Sequence, residues 1–354
     1  MTLRDLAQHC GVSIATVRWS LAGDERHVSA ATMARVRAVA QELEYNPMYT
    51  HGARRLVLRR LSRTVSSHTV SIHLPEWSLQ ANYFNALLFG TLSTLQRQRY
   101  GVLLNLVNAD DLPLPFTHGD VDGAIIYAVS DATESLLAQL RAYPGFGLRP
   151  VVTLAASFPG CSAVCPDDRQ GGYLAAKHLL ALGHRHIAHF YEESFFPKDR
   201  TSLSGHPFAQ RVSGYFDACH EVGADPSEVL HHISYQQYRE DPYRFAETLR
   251  KSPRVTAILA RHDSMAQEIY QVLRNAGLRI PQDYSLMGYD DSHAIPNAQG
   301  ENLLTTVQVP LTEMGEQAAQ LLLSHIAADD DVEMTTITLP TSLVVRTSTA
   351  EPGK

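Results

Sequence analysis

From about residue 69 onward the chain alternates short apolar runs with longer segments of helical periodicity, which constrains its fold more than any other feature. Residues 70–74, 101–107, 121–127, 150–154, 185–190, 255–260 and 284–289 are strand-like, and helix-length segments such as 83–98 separate them. A strand that returns through a helix to a neighbouring strand builds a parallel sheet covered on both faces. The expectation is an α/β body of doubly wound parallel sheets, with ligands at the carboxyl ends of the strands.

At 354 residues the chain suits two or three domains. A hydrophobic share of 44% beside 19% charged residues reads as globular rather than disordered. No apolar run approaches the roughly 20 residues that span a bilayer. The start, Met1-Thr2-Leu3-Arg4-Asp5, lacks the pattern of a secretory signal, so a cytoplasmic protein is expected. Cys10, Cys161, Cys165 and Cys219 are scattered and read as reduced thiols. The net charge of −7 hides an asymmetry: residues 1–66 hold ten arginines against five acids, a net of +5, and the rest carries −12. A basic head on an acidic body points to a polyanion met by the head alone.

The head reads as three short helices. Thr2 and Asp5 suit a first turn, and Leu3, Leu6, Ala7 and Cys10 recur at helical spacing before Gly11. Ser13 suits the cap of a second helix from about Ile14 to Leu21, with Val17 and Leu21 as its buried stripe. Ser29 caps a third, whose apolar face is Val36, Val39, Ala40 and Leu43, ended by Tyr45-Asn46-Pro47. Two helices around a tight turn on a third present the second helix to a major groove.

These residues carry a family resemblance. Thr2-Leu3-Arg4-Asp5-Leu6-Ala7, Gly11-Val12-Ser13-Ile14-Ala15-Thr16-Val17, Leu21, Gly23, Val28-Ser29 and Tyr45-Asn46-Pro47 resemble the lactose-repressor (LacI/GalR) headpiece. The body resembles the same family's two-lobed, periplasmic-binding-protein-like sensor. Its matching segments include Val121-Asp122-Gly123, 175–184, Arg211-Val212-Ser213-Gly214-Tyr215, 277–283 and Gly288-Tyr289-Asp290-Asp291. The resemblance implies a helix-turn-helix headpiece at 1–48, a basic hinge at 49–68, and an effector-binding and dimerisation domain at 69–350.

It further implies that Ile14 and Ala15 face base edges, where, lacking donors, they read thymine methyls or shape. Ser13 and Thr16 would bond phosphates, and Arg18 a phosphate or a guanine. Trp19 departs from the family's arginine, and two readings stand for it: a residue facing the groove, or one packed beside the helix. In the linker, Arg54 and Arg55 lie where the family forms a minor-groove hinge helix on DNA. A flexible basic tether is the alternative there.

In the sensor the resemblance assigns Tyr83, Phe84, Arg211, Asp263 and Asp290 to the effector cleft. An aromatic wall, a guanidinium fork and carboxylates suit a polyol such as a sugar. The residues alone leave open that Asp263 and Asp290 cap helices and that Arg211 is a structural ion-pair partner. His262 replaces the family's usual asparagine. His184, His186 and His189 lack the companions of a metal site, and Gly171-Gly172 is followed by no phosphate-loop lysine. Neither metal nor cofactor is expected.

The reading is therefore a sequence-specific transcription regulator, expected to repress. Its partners are a near-palindromic operator, a second copy of itself and a small effector, with no membrane partner; its place is the bacterial nucleoid. A solute receptor of the same two-lobed fold is the alternative. An enzyme is not expected, since no catalytic constellation stands in the chain.

Overall fold

The computed structural model describes residues 3–22, 26–42, 67–75, 82–107, 121–128, 133, 136–137, 149–191, 206–252, 254–328 and 333–353. The chain divides into two compact units, Met1–Ser67 and His68–Lys354.

The first unit contains α1 (Leu3–Cys10), α2 (Ile14–Ala22) and α3 (Ala30–Glu42). Gly11 ends α1 in the left-handed region at φ 61°, where a side chain is strained. The Gly11 and Val12 amides there donate back to Gln8 and Ala7 carbonyls. Ser13 Oγ accepts from the Thr16 amide at 3.0 Å and opens α2; Ser29 does the same for α3 through Thr32. Leu6, Val17 and Val36, all fully buried, meet at the centre with Ala7, Cys10 and Ala40. The expected Thr2 cap and the 49–66 part of the hinge lie outside the described residues.

The second unit is two α/β lobes. The first lobe's sheet joins β1 (Thr69–Pro75), β2 (Gly101–Val107), β3 (Gly123–Tyr127), β4 (Val151–Leu154), β5 (Ser162–Pro166) and β11 (Thr336–Leu339) in the order β11-β5-β4-β3-β1-β2, all parallel. The helices α4 (Asn82–Arg97) and α11 (Leu311–Ala327) cover it. The second sheet joins β6 (Ile187–Tyr191), β7 (Leu230–Ser234), β8 (Ala257–Leu259), β9 (Ser285–Asp290), β10 (Thr305–Gln308) and β12 (Ser342–Val344) in the order β12-β10-β9-β8-β6-β7. Only the β10–β12 pair in it is antiparallel. Its helices are α5 (Asp168–Ala181), α6 (Pro207–Glu221), α7 (Pro226–Val229), α8 (Tyr235–Glu240), α9 (Pro242–Lys251) and α10 (Asp263–Asn275). The expected pair of doubly wound sheets is present, with the antiparallel edge as its one departure.

The chain passes between the lobes three times, from β5 to α5, from β10 to α11 and from β11 to β12. Each lobe also locks one helix pair through a glycine. A Cβ on Gly172 of α5 would overlap the Arg211 carbonyl of α6, and one on Gly315 of α11 would overlap the Leu87 carbonyl of α4. The Gly171-Gly172 pair is thus explained by close packing rather than by a phosphate, Gly172 against the Arg211 backbone and Gly171 against the Tyr289 hydroxyl.

On β6, next to the edge strand β7 of the second sheet, His189 is 1% exposed and neither ring nitrogen has a hydrogen-bond partner. Its ring stands edge-on to Tyr215 and His232. Burial lowers its pKa to about 3. The imidazole therefore stays neutral in the fold, while the unfolded chain protonates near pH 6.5. Its contribution is intact above pH 6.5 and is lost as pH falls toward 3, at up to about 1.4 kcal/mol per pH unit. His189→Leu should flatten the fall of stability between pH 6.5 and 4, measured by urea unfolding. Curves parallel to those of the parent protein would contradict this.

Candidate functional site

Two surfaces take up the residues singled out in the sequence. On the first unit, Ser13, Ala15 and Arg18 are exposed, and Ile14 is 37% exposed at the start of α2. The Ser13 and Thr16 hydroxyls bond each other at 2.8 Å, so both are partly spent on capping. Trp19 is half-buried and stacks on His27, ring centroids 4.6 Å apart and planes 17° apart. It packs beside the helix with part of its ring still accessible. Arg54 and Arg55 lie outside the described residues.

The second surface is the cleft, where the second sheet's carboxyl ends deliver several side chains to one place. Arg211, one turn into α6, is 6% exposed. Its Nε donates to Asp168 Oδ1 at 2.6 Å and its Nη1 to the Arg261 carbonyl at 2.7 Å. The guanidinium lies over the Tyr289 ring at 3.6 Å and the Phe208 ring at 4.8 Å. The Tyr289 hydroxyl donates to the same Asp168 oxygen at 3.1 Å. Arg261 continues the stack between Phe208 and Tyr235, at 3.9 and 4.1 Å.

Asp290 ends β9 with φ 102° and is 5% exposed. A loop follows it rather than a helix, so it caps nothing. Its Oδ1 has no hydrogen-bond partner, and Arg211 Nη2 stands 3.8 Å away, too far for a direct bond. Burial raises the pKa of Asp290 well above the ordinary carboxylate range, against the pull of Arg211. Asp168 is raised by burial too, with the same guanidinium opposing. From the first lobe, Tyr83 on α4 is half-buried. Burial, then the charges of Asp290 and Asp168, push its hydroxyl pKa well up, which places it across the cleft from them.

Tyr83, Arg211 and Asp290 are thus brought together, while two other expected residues are not. Phe84 is 4% exposed and packs on Tyr127 inside the first lobe. Neighbours in sequence on a helix point about 100° apart, so the Tyr83-Phe84 pair divides between cleft and core. Asp263 is fully buried behind the wall. Its Oδ1 accepts from the Thr306 hydroxyl at 2.6 Å, and its Oδ2 from the amides of Ser292 at 2.8 Å and His293 at 3.4 Å. The cap of α10 is His262, whose Nδ1 accepts from the Met265 amide at 3.2 Å and so keeps its proton on Nε2. Burial lowers its pKa to about 3.

The sequence reading missed Asp168, Tyr289 and the Phe208–Arg261–Tyr235 stack. A signal for Phe208 existed: it stands three residues before Arg211 on one helix face.

The described residues contain no group of three or more His, Cys, Asp or Glu side chains arranged to hold a metal, and no described helix is long and apolar enough to cross a membrane.

A helix-turn-helix unit and a two-lobed cleft unit on one chain define a ligand-controlled, DNA-binding regulator. Residues 2–48 match the bacterial regulatory proteins of the lacI family, and residues 176–349 match a periplasmic binding protein-like domain. The headpiece is thus similar to that of the lacI family, and the sensor to a periplasmic binding protein-like domain. The chain is 29% identical to the HTH-type transcriptional regulator CelR of Thermobifida fusca, and 27% identical to the HTH-type transcriptional repressor PurR of Mannheimia succiniciproducens, each match covering 98% of both chains. An arabinose metabolism transcriptional repressor of Geobacillus stearothermophilus is 33% identical over 196 residues, 54% of this chain and half the length of that relative. Among solved structures, a CelR–cellobiose complex superposes with a TM-score of 0.64 at 26% identity, covering 98% of this chain and 99% of that one. A LacI-family regulator from Enterococcus faecium with bound ribose gives 0.62 at 29% identity, covering 80% and 99%. The protein is a sequence-specific DNA-binding transcription regulator controlled by a small molecule, and the headpiece match sets the receptor alternative aside.

Proposed function

We propose that this regulator is a homodimeric repressor of the bacterial nucleoid whose effector is a sugar held between the lobes. The carrying observation is the unsatisfied Oδ1 of Asp290, 3.8 Å from Arg211 Nη2. A hydroxyl fits that gap: it donates to the carboxyl and accepts from the guanidinium. Tyr83 supplies an aromatic face on the other side. The cellobiose and ribose of the two solved relatives, and the arabinose in another relative's name, have the same hydroxyl chemistry. In this reading Asp290 and Arg211 contact the effector, whereas Phe84 and Asp263 support the wall behind it.

Asp290→Ala and Arg211→Ala should each abolish the thermal shift given by the best sugar of a monosaccharide and disaccharide panel. Both should leave the affinity for an operator, selected from random duplex by the parent protein, within a few-fold of the parent. An undiminished sugar shift in both variants would remove the pair from the site.

On DNA, Ile14 and Ala15 lead α2 into the major groove, and the thymine methyl is the feature of a base edge there that rewards apolar atoms. Arg18 follows one turn later as a donor to guanine or phosphate, with Ser13, Thr16, Arg54 and Arg55 as phosphate contacts. Trp19, steadied by His27, flanks the groove rather than reading a guanine. Replacing thymine by uracil at the facing position of the selected operator should weaken binding about three- to tenfold, the order of one apolar contact. Ile14→Ala should shrink that difference. Equal affinity for thymine and uracil operators would overturn this assignment.

The second copy has a surface to meet. On the first lobe, Phe89 is 66% and Leu92 37% exposed on α4, and Leu103, Leu104 and Leu106 are 36–46% exposed on the edge strand β2. Clustered apolar exposure of this kind marks an interface. Leu104→Asp should convert a sedimenting dimer to monomer and lower operator affinity at least tenfold, since two headpieces reach two half-sites together. A dimer that survives this change would place the interface elsewhere.

A further inference from the structure

A hydrogen bond crosses the cleft between elements that belong to different lobes. Asn82, the exposed first residue of α4, donates from Nδ2 to the Ser292 carbonyl at 3.3 Å. Ser292 belongs to the loop after β9, and its own amide donates to Asp263 Oδ2 at 2.8 Å. The Ser292 residue is therefore held from both sides, by a buried carboxylate in its own lobe and by an amide side chain from the opposite one.

The loop needs holding. Asp290 and Asp291 follow one another with φ 102° and 54°, a left-handed stretch that carries backbone strain for residues with a Cβ. Asp291 is tied at its other end to Arg346 at 2.9 Å and to Gln308 at 3.3 Å. Asp263 ties the middle of the loop, while the Val309 amide donates to the Asp290 carbonyl at 3.4 Å and Gln267 Nε2 to the Ala294 carbonyl at 3.3 Å. Asp263 also touches the sheet, accepting from Thr306 of β10 and filling the space where Gly288 of β9 has no side chain.

We infer that Asp263 and Asn82 are the two halves of an interlobe latch, in which Asp263 positions the Asp290–His293 loop and Asn82 clasps the Ser292 carbonyl across the cleft. This rests on the reading that an effector is held between the lobes, and gives that site a regulatory element. An effector hydroxyl on Asp290 and the Asn82 clasp engage the same short loop, so effector binding favours latching, and latching favours retention of the effector. Asp263 is a positioning residue here, acting through the loop and not through the ligand.

The latch is proton-sensitive. Burial raises the Asp263 pKa to about 6, with Thr306, Ser292 and His293 opposing and the Asp291 charge adding to it. The groups facing it are Thr306 from β10, Gly288 from β9, and Asp291, Ser292 and His293 from the loop, and its own charge reaches Asp290, whose pKa it raises. His262, beside it on the chain, stays neutral above about pH 3. The Ser292 and His293 amides hold the Asp263 pKa down, so a loop that leaves while Asp263 stays buried against Thr306 leaves a carboxyl that binds its proton more tightly; the proton therefore favours the loosened loop as pH falls through about 6.

Hydrogen exchange of the intact, ligand-free protein tests this without depending on which sugar binds, so its failure is separate from failure of the effector reading. The readout is the exchange of residues 291–294, corrected for the intrinsic pH dependence, with β6 peptides as the control for global stability. Asn82→Ala, at an exposed position, should speed exchange of the loop several-fold and leave β6 unchanged. The parent protein should lose protection in the loop between pH 7.5 and 5.5, and Asp263→Asn should exchange fast at both pH values. Unchanged loop exchange in Asn82→Ala overturns the clasp. A pH step that is absent from the parent, or that persists in Asp263→Asn, overturns the role of Asp263; if that variant does not fold, the parent pH comparison and Asn82→Ala still decide.

Discussion

A single buried guanidinium organises the cleft wall of the second lobe. Arg211 ties the start of α5 through Asp168, the end of β8 through the Arg261 carbonyl and the end of β9 through the Tyr289 ring. A charge with 6% exposure is tolerated only because Asp168 lies 2.6 Å from it and the faces of its planar group lie against aromatic rings. Removing one partner of such a pair typically costs about 3–5 kcal/mol, because the other charge is left buried and alone. What the arrangement leaves over is one carboxyl oxygen, Oδ1 of Asp290, with no donor. The satisfied part of the wall thus defines the unsatisfied oxygen, the one the proposed effector would meet.

The lobes around that wall are built to move as units. Each is a sheet whose helix pair is locked by a glycine where backbones touch, Gly172 in one and Gly315 in the other. The chain joins them at three short crossings, after Pro166, Gln308 and Leu339. Rigid bodies joined by short segments respond to a ligand by rotating about the crossings rather than by repacking their cores. Such coupling typically amounts to about 1–3 kcal/mol between sites, enough to switch a repressor if the operator site is exchanging near saturation.

Much of this was legible in the chain because local chemistry and burial agree there. Gly11, Ser13, Ser29 and the Leu6–Val17–Val36 set define the headpiece through capping and 3.6-residue spacing, and the strands of the sheet centres are continuous apolar runs. The short strands escaped. Ser162–Pro166 reads Ser-Ala-Val-Cys-Pro, with neither length nor alternation, and with it went Asp168, the partner of Arg211. Thr336–Leu339 and Ser342–Val344 are four and three residues long with mostly exposed or half-buried side chains, too little signal for a period of two. Side-chain direction was the other loss. Tyr83 and Phe84 are both aromatic and adjacent, yet one turns to the cleft and the other to Tyr127. Asp263 and Asp290 are both acids at strand ends, and only the three-dimensional count of their partners separates the satisfied one from the unsatisfied one.

The central claim is that occupancy of the sensor cleft changes what the headpiece does on DNA. Fluorescence anisotropy of the intact protein on its selected operator, titrated without and then with a saturating sugar identified by thermal shift, measures that coupling directly. The account predicts a change in operator Kd of about 5- to 150-fold. A sugar that binds the protein yet leaves the operator Kd unchanged would contradict it.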